Sequence, residues 1–312
     1  MIVRFVAAAF VVLLAAAFGY IGGVLSYAHN HWPIYLVLDA LEEVHPAPGG
    51  QVLTDSFGRL SAYPGKHSVV CPPQDERTAV ILLIGQSNAA NEAGQRAVSL
   101  YGDRIVSWFD GTCSRAASPL LGTTGTRGES WTMLANKLLA AGTFNKVVLV
   151  PAAIGGTRIG RWTPGGDLNA MLLQSLAALS GTYKVTHIVW VQGEDDYQAH
   201  TPPEVYRAQF VALVDSMRGV GIGAPVFVTR ATLCGPDPGW TPDNPIALVQ
   251  QDLPDPARGI AAGVDSDALI PETDRLDSCH FGGTGVEKFS DAMRDRLAEW
   301  ERRKGDTKPQ GQ

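Results

Sequence analysis

Four short apolar runs, separated by helical patterns, limit the folds open to this chain. Each run is rich in Val, Ile and Leu and lacks the polar alternation of a half-exposed strand, which is typical of strands buried on both faces. The runs cover residues 80–84, 147–150, 187–191 and 226–229. Helical patterns lie around 131–140, 168–179 and 203–218, and a last one follows Thr284. This alternation predicts a three-layer α/β/α fold around a central parallel sheet.

The N-terminus carries an uncharged apolar stretch over residues 5–27, directly after Arg4. A helix of about 20 apolar residues spans a bilayer core. A signal peptide is the alternative, with a shorter apolar core followed by small residues such as those at 15–17. Because the apolar run continues past those alanines, we favour an N-terminal transmembrane helix within residues 1–30. Either segment predicts export of the rest of the chain, as a periplasmic or extracellular domain anchored to the membrane in the first case.

The remainder divides by composition into three parts. Residues 31–77 are rich in Pro and Gly and indicate a stalk or wrapping segment. Residues 78–303 carry the α/β pattern, and 304–312 form a polar tail. The formal net charge is −6, and the longest basic cluster lies at the C-terminal end, at 302–304. Binding to nucleic acid phosphates needs clustered Lys and Arg, so the sequence argues against a nucleic-acid partner.

The chain has four cysteines and no C-x-x-C pair. They are Cys71, Cys113, Cys234 and Cys279. This spacing argues against a zinc ribbon or a thioredoxin-like motif. In an exported protein an even number of cysteines indicates disulfides, and four cysteines allow three pairings. Four buried thiols acting as small apolar side chains are the alternative.

Polar or glycine-rich clusters follow three of the predicted strands. The first strand ends in Gly-Gln-Ser-Asn, with Ser87 at a strand-to-helix turn, a position that exposes a hydroxyl above the sheet. The second strand is followed by Gly155 and Gly156, and the third by Gln192 and Glu194. Taken separately, such a serine is more often a helix N-cap and such glycines are more often a turn.

A fourth cluster, Asp-Ser-Cys-His, precedes the last predicted helix. Asp277 and His280 are three residues apart on one loop, so the carboxylate can hold the imidazole tautomer and support its positive charge.

In this order, the four clusters resemble the SGNH hydrolases, specifically the sialate O-acetylesterase-like branch (carbohydrate esterase family 6). The resemblance extends over residues 78–301. It implies a flavodoxin-like fold and a serine esterase that removes acetyl groups from carbohydrate through an acyl-serine. It implies no metal and no organic cofactor. Two positions depart from the motifs: Ala89 stands where the branch commonly has Met, and Cys279 is not required.

The resemblance also implies roles for individual residues. Ser87 would be the nucleophile, His280 the general base and acid, and Asp277 the residue that orients His280. The oxyanion hole would use the backbone N–H of Ser87, the glycine at 156 and the side-chain amide of Gln192.

Further residues have supporting roles in this interpretation. Gly155 is the alternative loop glycine, and Glu194 would orient the loop that carries the amide. Arg158 and Trp162 follow the glycines and are candidates for binding the sugar, with ordinary surface and packing roles as the alternative. The segment 234–258 is predicted to be a long loop near the site.

Two other functions stay open at this stage. A polysaccharide O-acetyltransferase would pass the acyl group from serine to a sugar hydroxyl instead of water. A non-catalytic carbohydrate-binding protein would keep only a relic of the site. The favoured disulfides are Cys234–Cys279, because both residues lie in loops expected near the site, and Cys71–Cys113 as the remaining pair.

Overall fold

The computed structural model of the chain describes residues 50–306, and its centre is an eight-stranded sheet. The strands of the described residues are β1 Leu53–Thr54, β2 Leu60–Ala62, β3 Ser68–Val69, β4 Thr78–Gly85, β5 Ile105–Phe109, β6 Thr112–Arg115, β7 Lys146–Pro151, β8 His187–Val191, β9 Val226–Arg230 and β10 Ile260–Asp265. The α-helices of the described residues are α1 Trp131–Ala140, α2 Asp167–Leu179, α3 Glu194–Gln198, α4 Pro203–Gly219, α5 Pro245–Asp252, α6 Ser266–Leu269 and α7 Gly283–Asp306.

The sheet is mixed rather than wholly parallel. Its strand order is β10-β9-β8-β4-β7-β5-β6-β3. Neighbours from β10 to β5 pair in parallel, whereas β6 pairs antiparallel with both β5 and β3. The four predicted strands correspond to β4, β7, β8 and β9, so the α/β class is confirmed. The antiparallel edge was not predicted, because β3 and β6 are short and carry serine and threonine.

Alternate residues of the central strand explain why the sheet is covered on both faces. Val80, Leu82 and Ile84 of β4 lie in one apolar cluster together with α2, α4 and α5. Ile81 and Leu83 lie in a second cluster together with α1 and α7. All residues of β4 are buried. Two helical layers therefore enclose the sheet, as the continuous apolar runs predict.

The predicted long loop at 234–258 contains a helix, which corrects that prediction. Helix α5 begins after Asn244, whose side chain accepts a hydrogen bond from the N–H of Ala247. Pro245 occupies the first helical position, where its missing N–H costs no hydrogen bond. Asn followed by Pro is a helix-start signal, so this helix was visible in the sequence.

The predicted N-terminal transmembrane helix lies outside the described residues. Between residues 50 and 306, the structure contains no helix that is both long enough and apolar enough to cross a membrane. Residues 50–77 carry three short strands, the last of which joins the edge of the main sheet. The domain boundaries given above stay predictions.

Candidate active site

The loops that follow β4, β7 and β8 meet at a cleft of about 660 Å³. Parallel strands bring their carboxyl ends to one edge of the sheet, which is where open α/β sheets bind ligands. Residues from all four predicted clusters line the cleft. Those of them singled out from the sequence are Ser87, Gly155, Gly156, Glu194, Asp277 and His280.

Ser87 stands at the start of a 3-10 turn directly after β4. The strand ends at Gly85, whose φ of +131° is a conformation that side chains rarely adopt. The N–H of Gln86 then donates to the carbonyl of Val191 on β8 at 2.9 Å, which fixes the turn against the neighbouring strand. The side chain of Ser87 reaches the cleft, although the residue is only 8% exposed.

Asp277 and His280 are in direct contact on one tight loop. The Nδ1 of His280 lies 2.8 Å from Oδ2 and 3.1 Å from Oδ1 of Asp277. Oδ1 also accepts the backbone N–H of His280 at 2.9 Å. Partial burial acts to raise the pKa of Asp277, but the hydrogen bonds from the backbone and ring of His280 outweigh it, so this pKa lies below its ordinary value. With Nδ1 facing the carboxylate, the network assigns Nε2 as the nitrogen free to accept a proton.

Asn88 joins the nucleophile turn to the loop of the histidine. Its Oδ1 accepts the N–H of Phe281 at 3.1 Å, and its Nδ2 donates to the carbonyl of Cys279 at 3.3 Å. Nδ2 also donates to Oε1 of Glu194 at 2.8 Å. Ser87 and His280 make no direct hydrogen bond within the described residues, but this buried amide holds their two loops together along one wall of the cleft.

Glu194 is a buried carboxyl that lines the cleft. It is 1% exposed, and its Oε2 has no hydrogen-bond partner within the described residues. Burial raises the pKa of Glu194 to about 7. The hydrogen bond from Asn88 acts in the opposite direction, because it favours the charged form. In sequence reasoning this residue supports the loop that carries Gln192. In the structure its carboxyl contacts the nucleophile turn.

Replacing Glu194 by Gln should remove a pH dependence of stability. The folded pKa of about 7 lies above the ordinary 4.5, so the folded state binds more protons between these values. The stabilising contribution is complete below pH 4.5 and is lost as the pH rises through 7, a change on the order of 3 kcal/mol. We expect the stability of Glu194→Gln relative to the native protein to rise across this window in urea unfolding at pH 4.5–8. A difference that is constant with pH would contradict this.

The two loop glycines behave differently. The N–H of Gly155 is already bound to Oγ1 of Thr124 at 2.8 Å. Gly156 has a φ of +62°, and a side chain there would meet nothing within 4 Å. Its N–H has no partner within the described residues, and the residue lines the cleft. Gly156 is therefore the loop glycine with a free backbone donor.

The structure does not bring Gln192 into the cleft. The residue is fully buried, and its Nε2 donates to Oδ2 of Asp196 at 2.5 Å and to the carbonyl of Thr157 at 3.1 Å. Its Oε1 accepts the hydroxyl of Tyr206 at 3.0 Å. Both of its polar ends are thus used in linking β8 to neighbouring elements, so the expected role in the oxyanion hole finds no support in this arrangement.

Of the two candidate sugar-binding residues, Trp162 is excluded. It is fully buried and packs edge-on against Trp190 with ring centroids 5.6 Å apart. Arg158 lies at the rim, 62% exposed and 3.6 Å from Asp195, which lines the cleft. A role of Arg158 in substrate binding stays a prediction. Ala89 is also fully buried, so the departure at this position does not alter the surface of the cleft.

Sequence reasoning missed two groups of residues at the site. The loop 122–128 (Gly-Thr-Thr-Gly-Thr-Arg-Gly) supplies cleft residues 124–127, and its density of glycine and threonine was the available signal. Arg127 lies 3.8 Å from Asp277. Arg275 is buried and donates to the carbonyls of Leu233 and Cys279, so it fixes the histidine loop from beneath. Its sequence context gave no such signal.

Both predicted disulfides are present. Cys71 pairs with Cys113, with α-carbons 5.2 Å apart, and Cys234 pairs with Cys279, at 3.9 Å. The alternative of four free thiols is therefore wrong. Two disulfides indicate a domain that folds in an oxidising compartment outside the cytosol.

The two disulfides should affect stability alike and activity differently. They span 42 and 45 residues, so each contributes about 4 kcal/mol in the chain-entropy model. Only the second lies beside His280. We expect Cys234→Ser/Cys279→Ser to lose about tenfold or more in kcat/KM for an acetyl ester, since small misplacements of a catalytic group are costly. The matched control Cys71→Ser/Cys113→Ser should lose stability only. Equal activity of the two folded double variants would contradict this.

Comparisons with known proteins agree with the geometry. The family model described as carbohydrate esterase, sialic acid-specific acetylesterase matches residues 77–229, a stretch that contains Ser87, Gly156 and Gln192 but ends before the histidine loop. No curated protein matches the sequence.

Solved structures match across the domain, with 34 matching chains. A protein from Arabidopsis thaliana is 18% identical, with a TM-score of 0.56, and the match covers 74% of this chain and 99% of that one. The protein named NanS is also 18% identical, with a TM-score of 0.50, covering 76% of this chain and 99% of that one. At such identities the likeness shows the fold alone. The family match, together with this fold and the order of the four clusters, supports an SGNH hydrolase of the sialate O-acetylesterase-like family, whose members are carboxylic ester hydrolases.

Proposed function

We propose that the protein is a serine esterase that hydrolyses O-acetyl esters on carbohydrate, with Ser87, His280 and Asp277 as its triad. The observation that carries this proposal is that a serine turn and an Asp–His pair, 190 or more residues apart in sequence, face one cleft at the carboxyl edge of the sheet. The pair has the contact that a general base needs, at 2.8 Å.

The reaction follows from this arrangement in two steps. The Oγ of Ser87 forms a bond to the acetyl carbon while its proton passes to Nε2 of His280, and the electron pair of the C=O bond moves to the carbonyl oxygen. The ester C–O bond then breaks, and the sugar oxygen takes the proton from His280. Water, deprotonated by His280, attacks the acetyl-serine and releases acetic acid.

Asp277 and the backbone donors stabilise the charges that develop. The carboxylate beside Nδ1 supports the imidazolium formed in each step. The N–H groups of Ser87 and Gly156 are the backbone donors for the oxyanion, a contribution of about 3–4 kcal/mol for each well-placed donor. The reaction uses side chains and backbone of this chain alone.

An acetylated sugar is the proposed substrate because the family model is that of carbohydrate esterases. NanS and the Arabidopsis protein share the fold, and their likeness does not select a sugar. The cleft is lined mainly by polar residues and glycines and by no large apolar side chain, which suits a sugar ester better than a long acyl chain. Its wall carries Thr124, Thr126 and Gln198, whose hydroxyl and amide groups can bond sugar hydroxyls.

Acetate release tests this function. The full-length protein in detergent is incubated with acetylated xylose, acetylated N-acetylglucosamine and acetylated sialic acid, and free acetate is measured against Ser87→Ala. We expect turnover of at least one sugar ester that depends on Ser87. Transfer of acetyl to an added sugar without release of acetate would favour the acetyltransferase. Stoichiometric binding without turnover would favour the non-catalytic reading.

We further propose that residues 1–30 anchor the domain to the membrane on its exported side. The two disulfides support export, and the uncharged stretch 5–27 supports an anchor. We expect full-length protein in the membrane fraction and cleavage of the domain by protease added outside permeabilised outer membranes. Soluble protein with a new N-terminus near residue 18 would indicate a cleaved signal peptide, and full protection from the protease would reject export.

A further inference from the structure

The side-chain amide of Gln86, the residue before Ser87, has one bonded end and one unbonded end. Its Oε1 accepts the backbone N–H groups of Gly193 at 3.4 Å and Asp195 at 3.3 Å, which are long but directed hydrogen bonds. Only the carbonyl end of an amide can accept, so these two donors assign the orientation of the group. The NH₂ end consequently points away from α3.

The NH₂ end of Gln86 is a donor at the cleft wall without a protein partner among the described residues. Gln86 is 3% exposed, yet it lines the cleft together with Ser87 and Gly156. Among the described residues, none accepts a hydrogen bond from its Nε2. A donor left open at a cleft wall beside a nucleophile suits a partner that arrives with the substrate.

The amide of Gln192 cannot donate to a substrate without breaking its existing hydrogen bonds. Its two N–H groups are used by Asp196 and Thr157, and the residue does not reach the cleft. The two glutamines therefore have different roles. Gln192 links β8 to neighbouring elements, and Gln86 has a side-chain N–H that is free to bind substrate.

We propose that Gln86 is a catalytic residue that donates a hydrogen bond from Nε2 to the oxyanion, in place of Gln192. The inference rests on the proposed esterase function. When the Oγ of Ser87 bonds to the acetyl carbon and its proton passes to His280, the former carbonyl oxygen carries the negative charge. Nε2 of Gln86 then contacts that oxygen beside the N–H groups of Ser87 and Gly156. Loss of one such donor lowers kcat by about 10²–10³-fold.

Two variants separate donation from loop support. Gln86→Glu keeps an oxygen that can accept from Gly193 and Asp195 but has no donor at the other end. Gln86→Met removes both functions without adding charge. The matched control is Gln174→Glu, which adds the same charge at an exposed position of α2 that does not line the cleft.

The variants are compared as full-length proteins with 4-nitrophenyl acetate as the probe. We expect both Gln86 variants to lose about 10²–10³-fold in kcat with KM within about threefold, and Gln174→Glu to keep kcat within about threefold. A boronic acid that bonds Ser87 as a tetrahedral anion should lose affinity by a similar factor. This second measurement reports on donation directly, because the bonded boronate places a negatively charged oxygen where the oxyanion forms.

The results that would overturn the inference are distinct from failure of the esterase function. A Gln86→Met protein that folds, by circular dichroism, and retains kcat within threefold of the native value would overturn it. So would a kcat loss with unchanged boronate affinity, which would reduce Gln86 to a positioning residue. Failure of the proposed function would show earlier, as a native protein without Ser87-dependent turnover.

Discussion

Replacing Ser87 by Ala is expected to lower kcat for an acetyl ester by about 10⁴-fold or more and to leave the fold unchanged. The hydroxyl is the atom that bonds the substrate in the proposed reaction, and variants lacking such a group keep only the contribution of binding and the oxyanion hole. Ser87 donates no structural side-chain hydrogen bond within the described residues, so thermal unfolding should shift little.

Variants of the other triad residues are compared with Ser87→Ala. His280→Ala should lose a similar factor, and the double variant with Ser87→Ala should lose no more than either single change, because the groups act as a unit. Additive losses would contradict a shared mechanism. Steady-state kinetics with 4-nitrophenyl acetate, together with the melting temperature of each protein, measure both effects.

Replacing Gly85 by Ala is expected to have the largest effect on stability. A side-chain carbon there would lie 2.0 Å from the carbonyl oxygen of Val191, its partner on β8. The φ of +131° adds strain for any residue with a side chain. Strands β4 and β8 would have to separate at the site, so we expect a loss of about 4 kcal/mol or more in the free energy of unfolding.

Gly181→Ala is the matched control for that change. Its added carbon would meet nothing within 4 Å, and it lies in an exposed turn. Its unfolding free energy in urea should stay within about 0.5 kcal/mol of the native value. Equal stability of the two variants would mean that β4 and β8 are not held as closely as described.

The sequence predicted the central strands because burial on both faces requires a continuous run of apolar residues. Strands β4 and β8 are covered on both faces, so their residues form unbroken apolar runs that can be recognised without knowing their neighbours. Strand β10 has no such apolar run. It carries Gly263, which lies so close to β9 that an added side-chain carbon would come within 2.8 Å of the carbonyl of Val228. That requirement is set by the neighbouring strand and not by local sequence.

The features of the site also divide into those set by local sequence and those set by distant residues. The contact of Asp277 with His280 depends on a spacing of three residues, so it was predictable, and it is present. The positions of Gln86, Gln192 and Trp162 depend on which distant residues pack around them, and the predictions for the latter two did not anticipate their burial. Trp162 packs against Trp190 of β8, a contact between segments that sequence periodicity does not relate.

Direct observation of an acetyl group on Ser87 tests the central claim. The native protein would be mixed with an activated acetyl ester, quenched in acid within milliseconds to seconds, and digested for mass spectrometry. The proposed mechanism predicts acetylation of the peptide that contains Ser87, with the acetyl group on that serine and absent from Ser87→Ala. Steady turnover of the ester without any acetylated Ser87, or an acetyl group carried by another residue at the same rate, would contradict the account.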